Sequence, residues 1–303
     1  ITPRGVMGSY FNKFVFDSHP YANPLAGTPA SVSAISASDA RQFYQKNFTT
    51  DRAAIAIVGD FDTAAMKKRI TDLFGGWKTA AATSPVVAEP TVAFEKNRVL
   101  LVNKDDARET TFLIGGKGIT QNNPDFIPVS VVNTIFGGRF TSWLNDALRV
   151  NSGLTYGASS RFSTFRKSGT FAISTFTKVS TTTEAIDMAL QVLDSLHRTG
   201  IDEKTLTSAK NYVKADFPPK YESANSLANL LTDMFSLGID EAFINNFQKN
   251  VDGLTVAKTR QIIDQYFPKD KLQFVIVGKA EAIREKVKKY GTITEKEIKA
   301  EGF

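Results

Sequence analysis

Residues 136–156 read FGGRFTSWLNDALRVNSGLTY, and this stretch decides how the chain is organised. Gly137 and Gly138 predict a break between two helices, because glycine adopts left-handed backbone angles at little cost. After a short second helix, we expect the chain to turn into a strand that begins near Leu154. Apolar residues recur at helical spacing after the break and predict one buried helix face, formed by Phe140, Trp143, Leu144, Ala147 and Leu148.

Arg149 and Tyr156 flank this corner. Arg149 ends the predicted helix, and the strand that follows presents alternating residues on one face, namely Tyr156, Ala158, Ser160 and Phe162. A helix-turn-strand corner can direct an arginine and a tyrosine toward a common point, where both donate hydrogen bonds. The same spacing is typical of structural residues, since a basic side chain interacts with a helix C-terminus and aromatic rings fill cores. Spacing alone favours the structural interpretation and leaves the binding role open.

Composition excludes several kinds of site. The chain has no cysteine, which excludes disulfides, thiolate metal sites and a cysteine nucleophile. It has two histidines, His19 and His197, and neither has a second histidine four residues away, so we expect structural roles for both. The sequence contains neither a Gly-x-Ser-x-Gly elbow nor a Walker loop. The residues present therefore predict no self-contained catalytic set.

The charge pattern disfavours nucleic acid as a partner, and the hydropathy pattern predicts no membrane span. The net charge of +6 is spread over 303 residues, and no basic stripe with interleaved aromatic residues predicts nucleic-acid binding. No apolar run reaches the length of a membrane span. The length suits two domains, each with a core of its own.

Periodicity predicts an α+β protein in which helices cover one face of a sheet. Strands are predicted at 51–58, 98–103, 110–116, 154–163, 169–177 and 272–277. Helices are predicted near 36–46, 62–74, 124–136, 182–198, 202–217, 221–237, 255–266 and 280–290. Small residues and prolines over 79–92 predict a linker.

The chain contains an internal repeat. Residues 35–59 align without gaps with residues 254–278, at an offset of 219. They share seven identities in 25 positions, where unrelated sequences give about one or two. Both segments predict a helix, then a strand that ends in Ile-Val-Gly, so the chain contains parts of two homologous domains.

The two copies differ in what precedes them. Only 34 residues precede the first repeat segment, whereas the second copy begins near residue 93, far ahead of its own segment. We therefore expect the C-terminal part of a truncated first domain at 1–78, a linker at 79–92 and the second domain at 93–303. On this interpretation, roughly a hundred or more residues of the first domain lie before Ile1.

Five motifs are spread over the chain. They are Ser18-His-Pro-Tyr21 with Gly27-Thr28, Phe43-Tyr44 before Val58-Gly59-Asp60, Phe74-Gly75-x-Trp77, Asn123-Pro-Asp125, and Gly137-Gly138 with Ser142-x-Leu144, Leu148-Arg149 and Gly153-Leu154-x-Tyr156. Together they resemble the insulinase/pitrilysin family of inverted-zincin metallopeptidases, in its bacterial, mitochondrial-processing-peptidase-like branch. The resemblance covers essentially the whole chain.

The resemblance implies a LuxS/processing-peptidase-like fold of two homologous α+β domains, each an antiparallel or mixed sheet covered by helices. In that family an H-x-x-E-H helix and a later glutamate hold zinc, and both precede the segment matching Ser18–Tyr21. This chain thus resembles a fragment that lacks the zinc-motif region, and no metal ligand is assigned to it. Arg149 and Tyr156 match a pair that clamps the substrate peptide in the family. Trp143 and Val150 stand where the family usually has an arginine and an acidic residue.

The resemblance leaves three functions open. The first is a zinc-dependent endopeptidase, or its substrate-binding half, which acts on peptides or unfolded segments. The others are a metal-free subunit of a heterodimeric peptidase and a non-catalytic scaffold subunit. The resemblance further implies zinc in the complete enzyme or a partner subunit, a homo- or heterodimer with a zinc-bearing family member, and a bacterial cell-envelope or periplasmic location, with the cytoplasm as the alternative.

Overall fold

A computed structural model describes residues 1–77 and 87–302 of the chain. Helices α1 to α13 span Pro3–Phe16, Pro29–Ser33, Ala37–Asn47, Thr63–Phe74, Phe126–Asn133, Trp143–Asn145, Thr182–Thr199, Glu203–Asp216, Ala224–Leu237, Glu241–Asn245, Phe247–Asp252, Val256–Tyr266 and Ala280–Val287. Strands β1 to β6 span Arg98–Asn103, Glu109–Lys117, Ala158–Thr164, Gly169–Lys178, Gln273–Gly278 and Thr292–Glu297. Two π-helical turns, Thr134–Gly138 and Asp146–Asn151, lie between α5 and β3.

The six strands form one mixed sheet in the order β3-β4-β2-β5-β1-β6. β1 is parallel to β5 and β6, whereas β2 pairs antiparallel with β4 and β5, and β3 pairs antiparallel with β4. The α+β class with a mixed, helix-covered sheet is confirmed. The sequence does not predict β6, because Thr-Ile-Thr-Glu-Lys-Glu contains one apolar residue; charged side chains are typical of such an edge strand.

Helices cover both faces of the sheet. Helices α5, α7, α12 and α13 contribute to the core on one face, where the strand residues include Phe112, Ile114, Phe274 and Ile276. On the other face, α1 packs Tyr10 and Phe11 into a second core with strand residues Leu100, Val102, Val275 and Val277. The prediction of one covered face is therefore incomplete, because β1 and β5 carry apolar residues on both sides.

Helix α1 lies in the part of the sequence assigned to the first domain, yet it packs on the sheet formed by residues 98–297. The domain limits at 78, 79 and 93 stay predictions. Most of the predicted linker, residues 79–86, lies outside the described residues. Within the described ranges, no helix combines the length and the apolar character that crossing a bilayer requires.

The sequence repeat recurs in local structure. Helix α3 coincides with α12 at the offset of 219 found in the sequence. Both helices begin after a hydroxyl residue, Ser36 or Thr255, whose side chain accepts a hydrogen bond from the backbone N–H three residues on. The two segments thus fold alike over their helices, because both have a hydroxyl residue at the N-cap and the same apolar spacing.

The two copies differ in burial. In α12 and just after it, Ile262, Ile263 and Phe267 are at most 1% exposed. Their counterparts in the first copy are 52–62% exposed, namely Phe43, Tyr44 and Phe48. An apolar face that is core in the second copy therefore lies open in the first, among the residues that the structure describes.

Residues 53–58 do not form the buried strand that the sequence predicts. Their counterpart, β5, pairs with β1 on one side and with β2 on the other. No strand within residues 1–77 or 87–302 lies beside 53–58, and Ile55 is 53% exposed. A strand requires a neighbour to bond its backbone N–H and C=O groups, so an apolar β-type sequence alone does not produce one.

The repeat supplies a matched pair of stability variants. Ile262→Ala should lower the free energy of unfolding by about 2–4 kcal/mol, because it leaves a cavity in the core. Phe43→Ala, at the equivalent position, should change it by less than about 0.5 kcal/mol, because the ring is already in solvent. Urea denaturation followed by circular dichroism measures both. A large loss in Phe43→Ala would show that the first copy is packed.

Candidate functional site

The corner between α5 and β3 contains two π-helical turns instead of the glycine break that the sequence predicts. Helix α5 continues into the π turn Thr134–Gly138, and Trp143–Asn145 continues into the π turn Asp146–Asn151. Neither Gly137 nor Gly138 is among the glycines with positive φ, so the expected left-handed break is wrong. Gly137 is required for a different reason. A Cβ there would lie inside van der Waals contact with the backbone nitrogen and hydroxyl of Ser160.

Two asparagine amides attach this corner to the edge strand β3. The Nδ2 of Asn145 donates to the Phe140 carbonyl oxygen at 2.6 Å, and its Oδ1 accepts from the Ala158 N–H at 3.2 Å. The Nδ2 of Asn133 donates to the Ser160 carbonyl oxygen at 3.0 Å, and the Ser160 hydroxyl donates to Asn133 Oδ1 at 2.6 Å. These amides bond backbone groups that an edge strand would otherwise leave unpaired.

Arg149 lies at the end of this corner and stacks on an aromatic ring. Its guanidinium carbon is 4.4 Å from the centroid of the Phe140 ring. The predicted buried face is correct for Leu144 and Leu148, which are fully buried, but Phe140 is 69% exposed. Phe140 lies in the loop between the two turns rather than on the helix, so helical periodicity does not apply to it.

Tyr156 is 85% exposed and precedes the strand that it was predicted to open. Ala158 and Ser160 are both buried and share one face of β3, as the alternation predicts. Because β3 begins only at Ala158, this alternation does not extend to Tyr156. Its ring stacks beside Phe176 of β4, with 6.4 Å between centroids and 22° between planes. The phenol ring is therefore supported on one face by Phe176.

The structure brings Arg149 and Tyr156 to the same open cleft. Both line a cavity of about 400 Å³ together with Phe140 and Asn145. Within the described ranges, neither side chain has an ion pair or a hydrogen bond of its own. Two donors with unused N–H and O–H groups at one cleft can bind a carbonyl oxygen or an anion.

Three further residues of this site are not predicted from the sequence. Arg139 lines the cleft; its Nη1 donates to the Ser208 hydroxyl at 3.2 Å, and its buried Nε has no partner among the described residues. Phe176 of the neighbouring strand β4 supports Tyr156, and only strand pairing shows this. Asn145 gives a usable signal, because it is a polar residue directly beside the apolar positions of the helix.

The histidines have structural contacts. The Nδ1 of His19 accepts from the Tyr21 N–H at 3.1 Å, and the Nε2 of His197 lies 2.8 Å from the Phe267 carbonyl oxygen. Across residues 1–77 and 87–302, no three His, Asp or Glu side chains are grouped so that they could hold a metal ion. The described residues therefore do not fit a zinc site, and no step of a reaction is assigned to zinc on them.

Comparison with solved structures defines the class of fold. A peptidase M16 inactive domain from Pseudomonas fluorescens matches with a TM-score of 0.81 and 22% identity, covering 90% of this chain and 64% of that one. A chain of complex III2 from Candida albicans matches with a TM-score of 0.74 and 15% identity, covering 91% of this chain and 67% of that one. This chain thus shares its fold with a peptidase M16 inactive domain and with a chain of complex III2.

Residues 34–213 match the family model described as the peptidase M16 inactive domain, and this match spans more than half of the chain. The chain belongs to this family, which confirms the resemblance found in the sequence motifs.

Named relatives include both peptidases and non-peptidases. An uncharacterized zinc protease of Mycobacterium leprae is 24% identical over 268 residues, which is 88% of this chain and 60% of that protein. A non-peptidase homolog of Helicobacter pylori is 24% identical over 265 residues, which is 87% of this chain and 60% of that protein. The chain thus spans about 60% of the length of these relatives.

Asn145→Ala tests how the corner is held. The variant leaves the buried Ala158 amide and the Phe140 carbonyl without their partner, so the free energy of unfolding should fall by about 1–3 kcal/mol. Asn151→Ala, an exposed asparagine of the next turn, should change it by less than about 0.5 kcal/mol. Chemical denaturation measures both, and equal values for the two variants would contradict the role of the amide.

Proposed function

We propose that this chain is the substrate-binding part of a zinc-dependent endopeptidase, in which Arg149 and Tyr156 bind the backbone of a peptide or an unfolded segment. One observation supports this most strongly. The two donors share an open cleft, and neither side chain has a hydrogen-bond or ion-pair partner among the described residues. Each side chain is supported by an aromatic ring, Phe140 for Arg149 and Phe176 for Tyr156.

The chemistry of these groups suits a peptide carbonyl. A guanidinium offers fixed N–H donors and a phenol offers one O–H donor, and both stabilise negative charge that develops on a carbonyl oxygen. Because both rest on rings, less side-chain freedom is lost when a substrate binds. In this proposal the zinc belongs to a region or partner subunit outside the described residues, and this chain contributes binding and orientation.

A metal-free subunit of a heterodimeric peptidase is the second candidate. It is favoured by the absence of a ligand group within residues 1–77 and 87–302 and by the name of the Helicobacter pylori relative, a non-peptidase homolog. In that case Arg149 and Tyr156 would serve the active site of a zinc-bearing partner. A scaffold subunit, by analogy with the complex III2 neighbour, would not require the open cleft.

Arg149→Ala and Tyr156→Phe test the clamp. In the assembled enzyme that contains this chain, each should lower peptide turnover by about one to three orders of magnitude, because each removes a donor to the carbonyl oxygen. The matched control is Arg161→Ala, an exposed arginine of β3 that does not line the cleft. Turnover is measured with a fluorogenic peptide, and folding by circular dichroism. Normal turnover in both folded variants would exclude the clamp.

A metal analysis separates the two candidates from a self-sufficient peptidase. The purified chain of 303 residues should bind no stoichiometric zinc, since the described residues offer no group of three ligands. Elemental analysis after dialysis against a weak chelator measures the zinc content. One tightly held zinc per chain would contradict the proposal that the metal belongs elsewhere.

A further inference from the structure

Two further cavities continue from the Arg149–Tyr156 cleft past the end of the sheet where β2 begins and β4 ends. The second, of about 460 Å³, shares Arg149 and Tyr156 with the cleft and continues past Phe176 and Lys178. The third, of about 640 Å³, shares Glu109 with the second and lies beside the start of α1. We call the three together the cationic groove.

Positive charge is concentrated in this groove. Within the described residues, two carboxylates line it, Asp106 and Glu109, against six cations: Arg4, Lys104, Arg108, Arg139, Arg149 and Lys178. Asp106 is ion-paired with Lys104, and that hydrogen bond lowers the pKa of the Asp106 carboxyl. The chain has a net charge of +6, and a large share of this positive charge therefore lies around the cationic groove.

Apart from Lys104, the cations of the groove have no ion pair within the described residues, and two of them, Arg4 and Arg149, are stacked on aromatic rings. The guanidinium carbon of Arg4 lies 4.0 Å from the Phe176 ring centroid, as that of Arg149 lies 4.4 Å from the Phe140 centroid. A guanidinium stacked on a ring keeps its N–H donors in its own plane, where they can bind a carboxylate with two hydrogen bonds. Among the described residues, Arg4, Arg108 and Lys178 have no carboxylate partner within ion-pair distance.

We infer that the cationic groove binds an extended acidic segment of a polypeptide. This segment continues along the chain from the peptide bond whose carbonyl oxygen Arg149 and Tyr156 bind. Arg4, Arg108 and Lys178 pair with aspartate or glutamate side chains of that segment. This inference rests on the proposed peptide-binding function and adds to it a substrate class, peptides with acidic residues on one side of the clamped bond.

The groove fits a peptide better than single-stranded nucleic acid. Binding of nucleic acid uses aromatic faces on which successive bases stack. Here a guanidinium occupies one face of Phe140 and one face of Phe176, and Tyr156 stacks beside Phe176. The rings therefore serve to orient the arginines, and the remaining donors suit carboxylates spaced along a chain.

Two labelled peptides test the proposal on the full chain. One carries several glutamates, and the other has glutamine at the same positions. Fluorescence anisotropy should show the acidic peptide binding about tenfold tighter, with a smaller difference at high ionic strength. Arg108→Gln and Lys178→Gln should each reduce this preference about two- to fivefold. Lys286→Gln, an exposed lysine of α13 outside the groove, should leave it unchanged.

Two results would overturn the proposal. One is equal affinity for the two peptides, or a preference that Arg108→Gln and Lys178→Gln both leave intact. The other is displacement of the acidic peptide by a single-stranded oligonucleotide of equal charge at equal or lower concentration, which would assign the groove to nucleic acid.

The clamp and the groove are distinguished in the same assay. If Tyr156→Phe weakens both peptides equally and no acidic preference exists, the clamp is supported and the groove is overturned. If the preference is present and depends on Arg108 and Lys178, while Tyr156→Phe has no effect on either peptide, the groove is supported and the clamp is excluded. If neither peptide binds the folded chain, both proposals are overturned.

Discussion

The pairing of β5 between β1 and β2 is the constraint on which the rest of this structure depends. β5 bonds a neighbour on each side, so its backbone groups are satisfied and its side chains enter two cores. Helices α5, α7, α12 and α13 pack on one face of the sheet and α1 packs on the other, because this central strand has apolar side chains on both faces. The homologous segment at residues 53–58 has a similar sequence. Among the described residues, however, no strand pairs with it, and most of its side chains are exposed.

The candidate site lies where the helical corner covers the edge strand β3. β3 is an edge strand, and the chain protects part of that edge with side-chain amides rather than with another strand. The corner that supplies these amides can approach closely because Gly137 has no Cβ. The same corner ends in Arg149, and the turn after it carries Tyr156, so protection of the edge and presentation of two donors are structurally linked.

The candidate residues of this site are supported by aromatic rings instead of ion pairs. Phe140 supports Arg149, while Phe176 contacts both Arg4 and Tyr156. A ring orients a guanidinium without consuming its hydrogen-bond donors, whereas a carboxylate partner would neutralise it. This arrangement gives the groove a net positive charge that is available to a ligand, and it is the physical basis of both proposals.

The sequence by itself determined the local features of this protein. Hydroxyl N-caps, apolar periodicity and the offset of 219 predicted α3, α12 and the relation between the two copies, because these signals act within a few residues or by direct comparison. The sequence motifs likewise identified the family and selected Arg149 and Tyr156. Only the tertiary structure decided which copy of the repeat is buried, that Phe140 and Tyr156 are exposed, and that Arg4 of α1 lies over the ring of Phe176 in β4. Burial and strand pairing depend on residues distant in the chain, and no local pattern contains that information.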